Sequence, residues 1–241
     1  MQSISPLPKY LDADSIISQV LFDEYTATWV KAVNDPSDGT ALTKCFLTKS
    51  GSRLGYVRFE VPQIIELMSA VGIQGIKARF LIKPDGRFTV ALFAADAQGL
   101  RLTSYYLADY RNEEDQQPAS RQAEDMNMEA ANVLAAHWQR NWANTKRFPT
   151  TRQLFASSYG PLRGYNFNVS DFMAPLMSLQ PEDIDKEEFH LMPGLHSHFS
   201  SGPDNDGPVA VFGLVVTRTD NALRGSGDPS YDVAIPSPPA P

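Results

Sequence analysis

A short sequence pattern occurs twice in this chain, and its repetition restricts the possible folds more than any other feature. Residues 55–68 begin with Gly-Tyr, continue through a strand-like stretch, and end in apolar residues at helical spacing. Residues 164–177 follow the same order. Because a fixed order of features that recurs along a chain indicates duplication, we interpret the sequence as two copies of one module.

The helices predicted ahead of these two segments repeat as well. Apolar residues recur in both at helical spacing, which predicts two amphipathic helices. The positions i, i+1, i+5 and i+9 are occupied in both helices, by Val20, Leu21, Tyr25 and Trp29 in the first and by Val133, Leu134, Trp138 and Trp142 in the second. This match contains no gap, which favours a duplication over chance.

Each copy also contains a predicted pair of strands. Pro84, Asp85 and Gly86 separate the apolar stretches 76–82 and 87–95, a pattern typical of a β-hairpin. The sequence therefore predicts an α+β fold made of two tandem copies of a helix–strand–helix–hairpin module related by pseudo-twofold symmetry. The copies form either two similar domains or one sheet that continues across both halves. A cleft between the halves is the default ligand site.

Local signals set the expected bounds of several elements. Asp14 is a candidate N-cap, so the first helix is predicted to begin at Ser15. Residues 42–48 are predicted to form a short strand. Pro62 fits the first turn of the helix that follows the first Gly-Tyr strand, because a missing amide costs nothing at that position.

Changes in composition divide the chain into five parts. Residues 109–118 are polar and nearly free of apolar side chains, so they are predicted to link the two copies. Proline is too dense near the C-terminus for a helix or a central strand. The predicted parts are a lead-in, a first repeat, the linker, a second repeat and a Pro-rich tail, at residues 1–13, 14–108, 109–118, 119–224 and 225–241.

Composition and charge exclude several classes of function. The net charge is −7 and the basic residues are scattered, which argues against a nucleic-acid-binding surface. Cys45 is the single cysteine, so the chain can form no internal disulfide and no cysteine-based zinc site. The chain has no signal-peptide pattern and no apolar run of about 20 residues. We therefore expect a cytoplasmic protein that does not enter membranes.

Histidines are concentrated in one short segment. His196 and His198 are two residues apart, so on a strand both imidazoles would point to one face. A divalent metal is the one cofactor that this pattern suggests. Its ligands would be His190, His196 and His198 with a carboxylate from Glu188, Asp204 or Asp206.

The same segment also has a simpler interpretation. Residues 195–208 have no counterpart in the first copy, where the corresponding turn is a tight hairpin, so they are predicted to be an inserted loop. Inserted loops often carry function. A polar loop in solvent fits the same residues, and His190 fits a half-buried strand position.

The aromatic stripe of the two long helices has two interpretations. Tyr25, Trp29, Trp138 and Trp142 are typical of a core that buries large aromatic surface between the copies. The alternative is that these rings bind a ligand by stacking.

The layout of each half and the C-terminal tail carry a resemblance. The tail at residues 231–239 ends in a Pro-Pro pair that is flanked by serine and alanine. In these features the chain resembles a group of small uncharacterised bacterial proteins that have one such module and often end in a Pro-Pro tail with flanking cysteines. The resemblance implies no activity.

These observations lead to three hypotheses about function. The first is a non-enzymatic binding or assembly module whose ligand, a partner protein or a small molecule, lies in the cleft between the halves. The second is a metal-binding protein or metal-dependent enzyme that uses the segment from His190 to His198. The third is a structural subunit of a homo-oligomer whose tail docks to a neighbour. The sequence leaves open whether the protein is an enzyme.

Overall fold

The structure is a computed structural model of the 241-residue chain. It describes residues 15–37, 39–48, 51–109, 130–157, 160–177, 179–202, 205–220, 230–233 and 235–236. The predicted lead-in, Asp14, nearly all of the predicted linker and most of the predicted tail lie outside the described residues. Helices and antiparallel sheets are both present, so the predicted α+β class is confirmed.

Five helices lie in the described part of the chain. They are α1 (Gln19–Asn34), α2 (Thr40–Cys45), α3 (Val61–Met68), α4 (Ala130–Ala143) and α5 (Ser170–Met177). Short 3-10 helices span Arg152–Phe155 and Pro181–Asp183.

The first helix begins later than predicted. Ser18 is its N-cap, and its hydroxyl accepts a hydrogen bond from the Leu21 amide at 3.3 Å. The residues before Ser18 form a short strand instead of a first helical turn, so the predicted start at Ser15 is wrong. Val20, in the first turn, is 73% exposed, and Leu21 is exposed as well. The buried face of the helix therefore begins further along than the sequence pattern indicates.

The segment predicted as a strand at residues 42–48 is mostly helical. Leu42, Cys45 and Phe46 are its buried apolar residues, and their spacing of i, i+3 and i+4 is that of a helix face. The prediction for α3 is confirmed, since Pro62 lies in its first turn.

The strands are β1 (Ile16–Ile17), β2 (Val57–Glu60), β3 (Gly75–Ile82), β4 (Phe88–Ala95), β5 (Tyr105–Leu107), β6 (Ala156–Ser157), β7 (Gly160–Pro161), β8 (Gly164–Phe167), β9 (Glu187–Gly202), β10 (Asn205–Asp220), β11 (Ser230–Val233) and β12 (Ile235–Pro236). One sheet has the order β1-β5-β4-β3-β8-β12 and another has the order β11-β10-β9-β2, while β6 pairs with β7. All these pairings are antiparallel.

Each of the two larger sheets combines strands from both halves of the sequence. The hairpin β3–β4 pairs with β8, which lies far along the chain, and the hairpin β9–β10 pairs with β2. Gly164 allows the approach of β8 to β3, because a Cβ at this position, where φ is +150°, would collide with the carbonyl oxygen of Ala78. The two halves are thus joined through their sheets.

The two larger sheets also meet at two corners. β5 pairs with β4, and shortly after it Asp109 bridges to Arg58 of β2, with the Asp109 amide 3.0 Å from the Arg58 carbonyl oxygen. β11 pairs with β10, and β12, close behind it in sequence, pairs with β8. Asp109, the first residue of the predicted linker, is therefore part of the paired framework.

The segment predicted as an inserted loop is an extension of the hairpin β9–β10. These strands pair along their whole length, up to Gly202 opposite Asn205. His196 lies opposite Val211, and His198 lies opposite Val209. The loop prediction at residues 195–208 is wrong, because β-branched valines alternate along β10 and extend the strand.

The main core contains side chains from both halves. Phe80 and Phe88 of the first hairpin and Phe212 and Leu214 of the second are buried in one cluster. A second, smaller cluster of the side chains Ile17, Leu81, Ala91, Phe93, Tyr105 and Leu107 packs against Phe22 and Tyr25 of α1. The elements of the two halves are therefore held in fixed relative positions by shared apolar burial.

Candidate functional site

Trp29 and Trp142, at matching positions of the two aromatic helices, are both buried. The indole N–H of Trp29 donates to the Leu162 carbonyl oxygen at 2.7 Å. The indole N–H of Trp142 donates to the Leu54 carbonyl oxygen, also at 2.7 Å. Because the rings are 0% and 2% exposed, neither offers a face to a ligand. Their geometry fits the core interpretation and does not support the ligand-stacking alternative.

Phenylalanine rings pack in the same way against the two tryptophans. Trp29 packs edge-to-face on Phe155 with ring centroids 5.1 Å apart, and Trp142 packs in the same way on Phe46, also at 5.1 Å. Phe46 and Phe155 stack on each other at 5.4 Å. Each tryptophan therefore contacts the phenylalanine of the opposite half.

Arg53 adds polar contacts around Trp142 that the sequence analysis missed. Its guanidinium donates to the carbonyl oxygens of Trp142 at 2.5 Å and Phe148 at 3.1 Å, and to the Thr150 hydroxyl at 2.6 Å. Burial lowers the pKa of Arg53 to about 10. The spacing of these residues along the chain gives no local signal of such contacts.

Tyr25 and Trp138, the other two residues of the predicted stripe, are only half buried. Tyr25 packs against the smaller cluster. Trp138 lies beside exposed His196, with ring centroids 5.1 Å apart, and a Cβ at Gly194 would be 3.0 Å from the Trp138 Cβ. A stacking role for these two rings stays a prediction.

Two of the predicted metal ligands lie in a buried cluster of charged side chains. Arg58 donates to Glu188 and, at 2.7 Å, to the Asp109 carboxylate. The Nε2 atom of His190 is 3.1 Å from Glu188, and Tyr56 stacks on the His190 ring at 4.0 Å. Arg58, Glu188 and His190 are all less than 10% exposed. Pairing of this kind offsets the large cost of removing charges from water.

A cross-strand row passes through this cluster. Arg58 of β2 lies opposite His190 of β9, and His190 lies opposite Thr217 of β10. The Arg58 Nε atom and the Thr217 hydroxyl are both buried and have no hydrogen-bond partner among the described residues. Such groups carry a desolvation cost that nothing offsets.

The structure separates the predicted metal ligands into two groups. The strand places Glu188 beside His190, but His196 lies six positions beyond His190, which corresponds to roughly 20 Å along an extended strand. Glu188 is also paired with the Arg58 cation, which disfavours a metal cation at the same carboxylate. No group of three or more possible ligands occurs among the described residues. The side chains of His198, Asp204 and Asp206 lie outside the description, so metal binding in this segment stays a prediction.

A groove of about 380 Å³ lies between α3 and α5. Most of its lining is apolar, and the two polar exceptions among its described residues are Ser69 and Gln180. The lining residues are Ile65, Met68, Ser69, Leu176, Leu179, Gln180, Pro181 and Ile184. Because α3 follows β2 and α5 follows β8, the groove lies between elements of the two halves.

Similar capping contacts position the two helices that line the groove. At α3, the Gln63 side chain accepts a hydrogen bond from the Glu60 amide at 2.8 Å. At α5, the Asp171 side chain accepts one from the Asn168 amide at 2.7 Å. In both helices a polar side chain therefore reaches back three residues, as in a capping box.

The groove residues contributed by the segment after α5 were not predicted. Leu179, Pro181 and Ile184 follow that helix and lie outside the repeated pattern. The one available signal was an apolar residue on each side of a proline in an otherwise polar stretch.

Comparison of the chain with protein-family models, curated proteins and solved structures finds no match. Within the described residues, no helix is both long enough and apolar enough to cross a bilayer. The resemblance to small bacterial proteins stays a prediction, and any functional argument depends on the geometry of this chain.

Proposed function

We propose that the protein is a non-enzymatic binding module, built from two tandem copies of one fold, that holds its ligand in the groove between α3 and α5. The observation that carries the proposal is this groove, which is concave, mostly apolar and reachable from solvent. Its Ile65 side chain is 41% exposed. Ligand sites in proteins typically combine an apolar lining with a few polar groups and enclose about 300–1,000 Å³.

The duplicated architecture is supported by matching contacts on the two sides of the molecule. The strands β2 and β8 each leave their own half and pair with the hairpin of the other. Trp29 and Trp142 donate to carbonyl oxygens of opposite halves at the same distance. Phe46 and Phe155 stack between them. An arrangement of this kind is expected when two copies of one module meet about a twofold axis.

Binding of the neutral apolar dye Nile red tests the groove. The dye emits at shorter wavelength in apolar surroundings, so binding gives a blue shift that titrates with protein concentration. Ser69 is exposed and lines the groove, so Ser69→Trp fills the groove without disturbing the core. We expect this variant to lose the shift.

Gln98→Trp is the matched control, because Gln98 is also exposed but lies in the turn between β4 and β5. It adds the same ring elsewhere and should bind the dye like the unmodified protein. Circular dichroism confirms that both variants fold. The proposal fails if the unmodified protein does not shift the dye, or if Ser69→Trp shifts it equally well.

The metal-dependent alternative has less support. The close contact of Glu188 with His190 favours it, while the pairing of Glu188 with Arg58 opposes it. Elemental analysis of protein purified without a histidine tag tests it directly. Stoichiometric zinc, iron, manganese or nickel that disappears in His196→Ala/His198→Ala would favour the alternative over the binding module.

A further inference from the structure

Exposed acidic residues lie next to lining residues of the apolar groove in the sequence. Glu66 follows the lining residue Ile65 on α3 and is exposed. Glu182 and Asp185, both exposed, flank the lining residue Ile184 on the opposite side. None of these three carboxylates forms a salt bridge within the described part of the chain. The groove therefore has an apolar lining, and the exposed residues that flank this lining in the sequence, here called its rim, carry negative charge.

Positive charge at this rim is scarce. Residues 60–71 contain no lysine or arginine, and Lys186 is the one basic residue within 170–188. The ammonium of Lys186 is 2.9 Å from the Asp183 carboxylate, so its charge is already compensated. The two segments that line the groove therefore carry net negative charge, which attracts cations over about one Debye length.

We propose that the occupant of the groove is a cationic amphipathic segment of a partner protein, a refinement that rests on the binding function proposed above. Its apolar side chains enter the groove, and its lysines or arginines face the carboxylates on the rim. Helix-in-groove recognition has this form, with anchors at i, i+3 or i+4 and i+7. The eight residues of α3 span about 12 Å, which matches roughly two turns of a partner helix.

The charge of the rim argues against a second copy of this chain as the occupant. A twofold interface at the groove would place the same patch of both copies face to face. The exposed Glu182 and Asp185 of one copy, which flank the lining residue Ile184, would then lie near the same residues of the other. Juxtaposed like charges oppose association.

The test uses two synthetic peptides of about 12 residues with the same leucine pattern, one with lysine and one with glutamate at the other positions. Binding is followed by fluorescence anisotropy of a dye at the peptide terminus. We expect the lysine peptide to bind and the glutamate peptide to bind at least about tenfold more weakly. Raising NaCl from about 50 to about 500 mM should weaken binding of the lysine peptide several-fold.

Matched charge reversals test whether the lysine peptide binds at the groove. Glu182→Lys/Asp185→Lys changes the rim and should weaken binding of the lysine peptide by about tenfold. Asp23→Lys/Glu24→Lys makes the same change in net charge on α1, which contributes no residue to the groove, and should change binding less than about twofold. All four residues are exposed, so we expect both variants to fold.

The outcomes separate this inference from the function on which it rests. If the two peptides bind equally, or if both charge reversals have the same effect, the cationic partner is wrong. If Nile red enters the groove but the lysine peptide does not bind, the inference fails and the binding module stands. If neither binds, both proposals fail.

Discussion

The indole of Trp29 and the indole of Trp142 each donate a 2.7 Å hydrogen bond to a main-chain carbonyl from the opposite half of the chain. The acceptors, Leu162 and Leu54, lie just before the two Gly-Tyr strands that exchange between the sheets. Each aromatic helix is thereby attached to the segment of the other half that pairs with the hairpin of its own half. The two hydrogen bonds have the same length, although their donors, Trp29 and Trp142, lie more than 100 positions apart in the sequence.

This relationship predicts similar costs for two distant substitutions. Trp29→Phe and Trp142→Phe each remove the indole N–H, leave a buried carbonyl oxygen unpaired and create a small cavity. We expect each to lower the free energy of unfolding by about 2–4 kcal/mol. Urea denaturation measures the change. Trp138→Phe, at a half-buried position, should cost less than about 1 kcal/mol. Very unequal effects at positions 29 and 142 would contradict an equivalent role.

The charged cluster predicts an asymmetry between single and double substitutions. Arg58→Met leaves Glu188 buried without its cation and should cost about 3–5 kcal/mol of unfolding free energy at neutral pH. Arg58→Met/Glu188→Leu removes both charges and should recover much of that loss. Denaturation of the two variants measures the difference. A double variant that is no more stable than the single one would show that the charges are not coupled.

The buried hydroxyl of Thr217, which has no hydrogen-bond partner in the described part of the chain, predicts a substitution that does not destabilise the fold. Thr217→Val keeps the side-chain shape and removes this hydroxyl, so we expect unchanged stability or a gain of about 1 kcal/mol. Thr150→Val is the control, because its hydroxyl accepts a 2.6 Å hydrogen bond from Arg53 and its loss should cost about 1–2 kcal/mol. Thermal unfolding of both variants checks the contrast.

The parts of the fold that the sequence predicts are those with local signals. Pro62 in a first helical turn and the turn at Pro84 to Gly86 depend on neighbouring residues alone, and the structure confirms both. The pairing of β2 with β9 joins residues about 130 positions apart, so no short pattern reports it. The strand predicted at residues 42–48 is wrong for a different reason, since its buried residues are spaced as on a helix and most of the segment is helical.

For the site, the sequence predicts a ligand in a cleft between the halves, and this stays a prediction. The lining of the groove between α3 and α5 could not be predicted, because it depends on Leu179, Pro181 and Ile184, which lie outside the segments 55–68 and 164–177. For the histidines, closeness in the sequence does not predict closeness in space. His190 and His196 are close in sequence, yet an extended strand places them far apart.

The buried thiol of Cys45 predicts both a chemical and a thermodynamic result. Burial raises the pKa of this thiol well above its ordinary value of about 8.5, because the thiolate is poorly solvated there. The native protein should therefore react slowly with a thiol reagent such as DTNB and rapidly in urea. Since the unfolded thiol ionises first, the stabilising contribution of the neutral thiol is complete below about pH 8.5 and is lost as the pH rises above it.

Urea denaturation at about pH 7.5 and about pH 10 measures this loss, with Cys45→Ala as the control that lacks a titrating group. We expect the unmodified protein to lose about 1–2 kcal/mol more unfolding free energy between these pH values than Cys45→Ala. An equal loss in both proteins, or rapid labelling of the native thiol, would show that Cys45 is accessible to solvent. Such a result would contradict its buried position in the core that the two halves share.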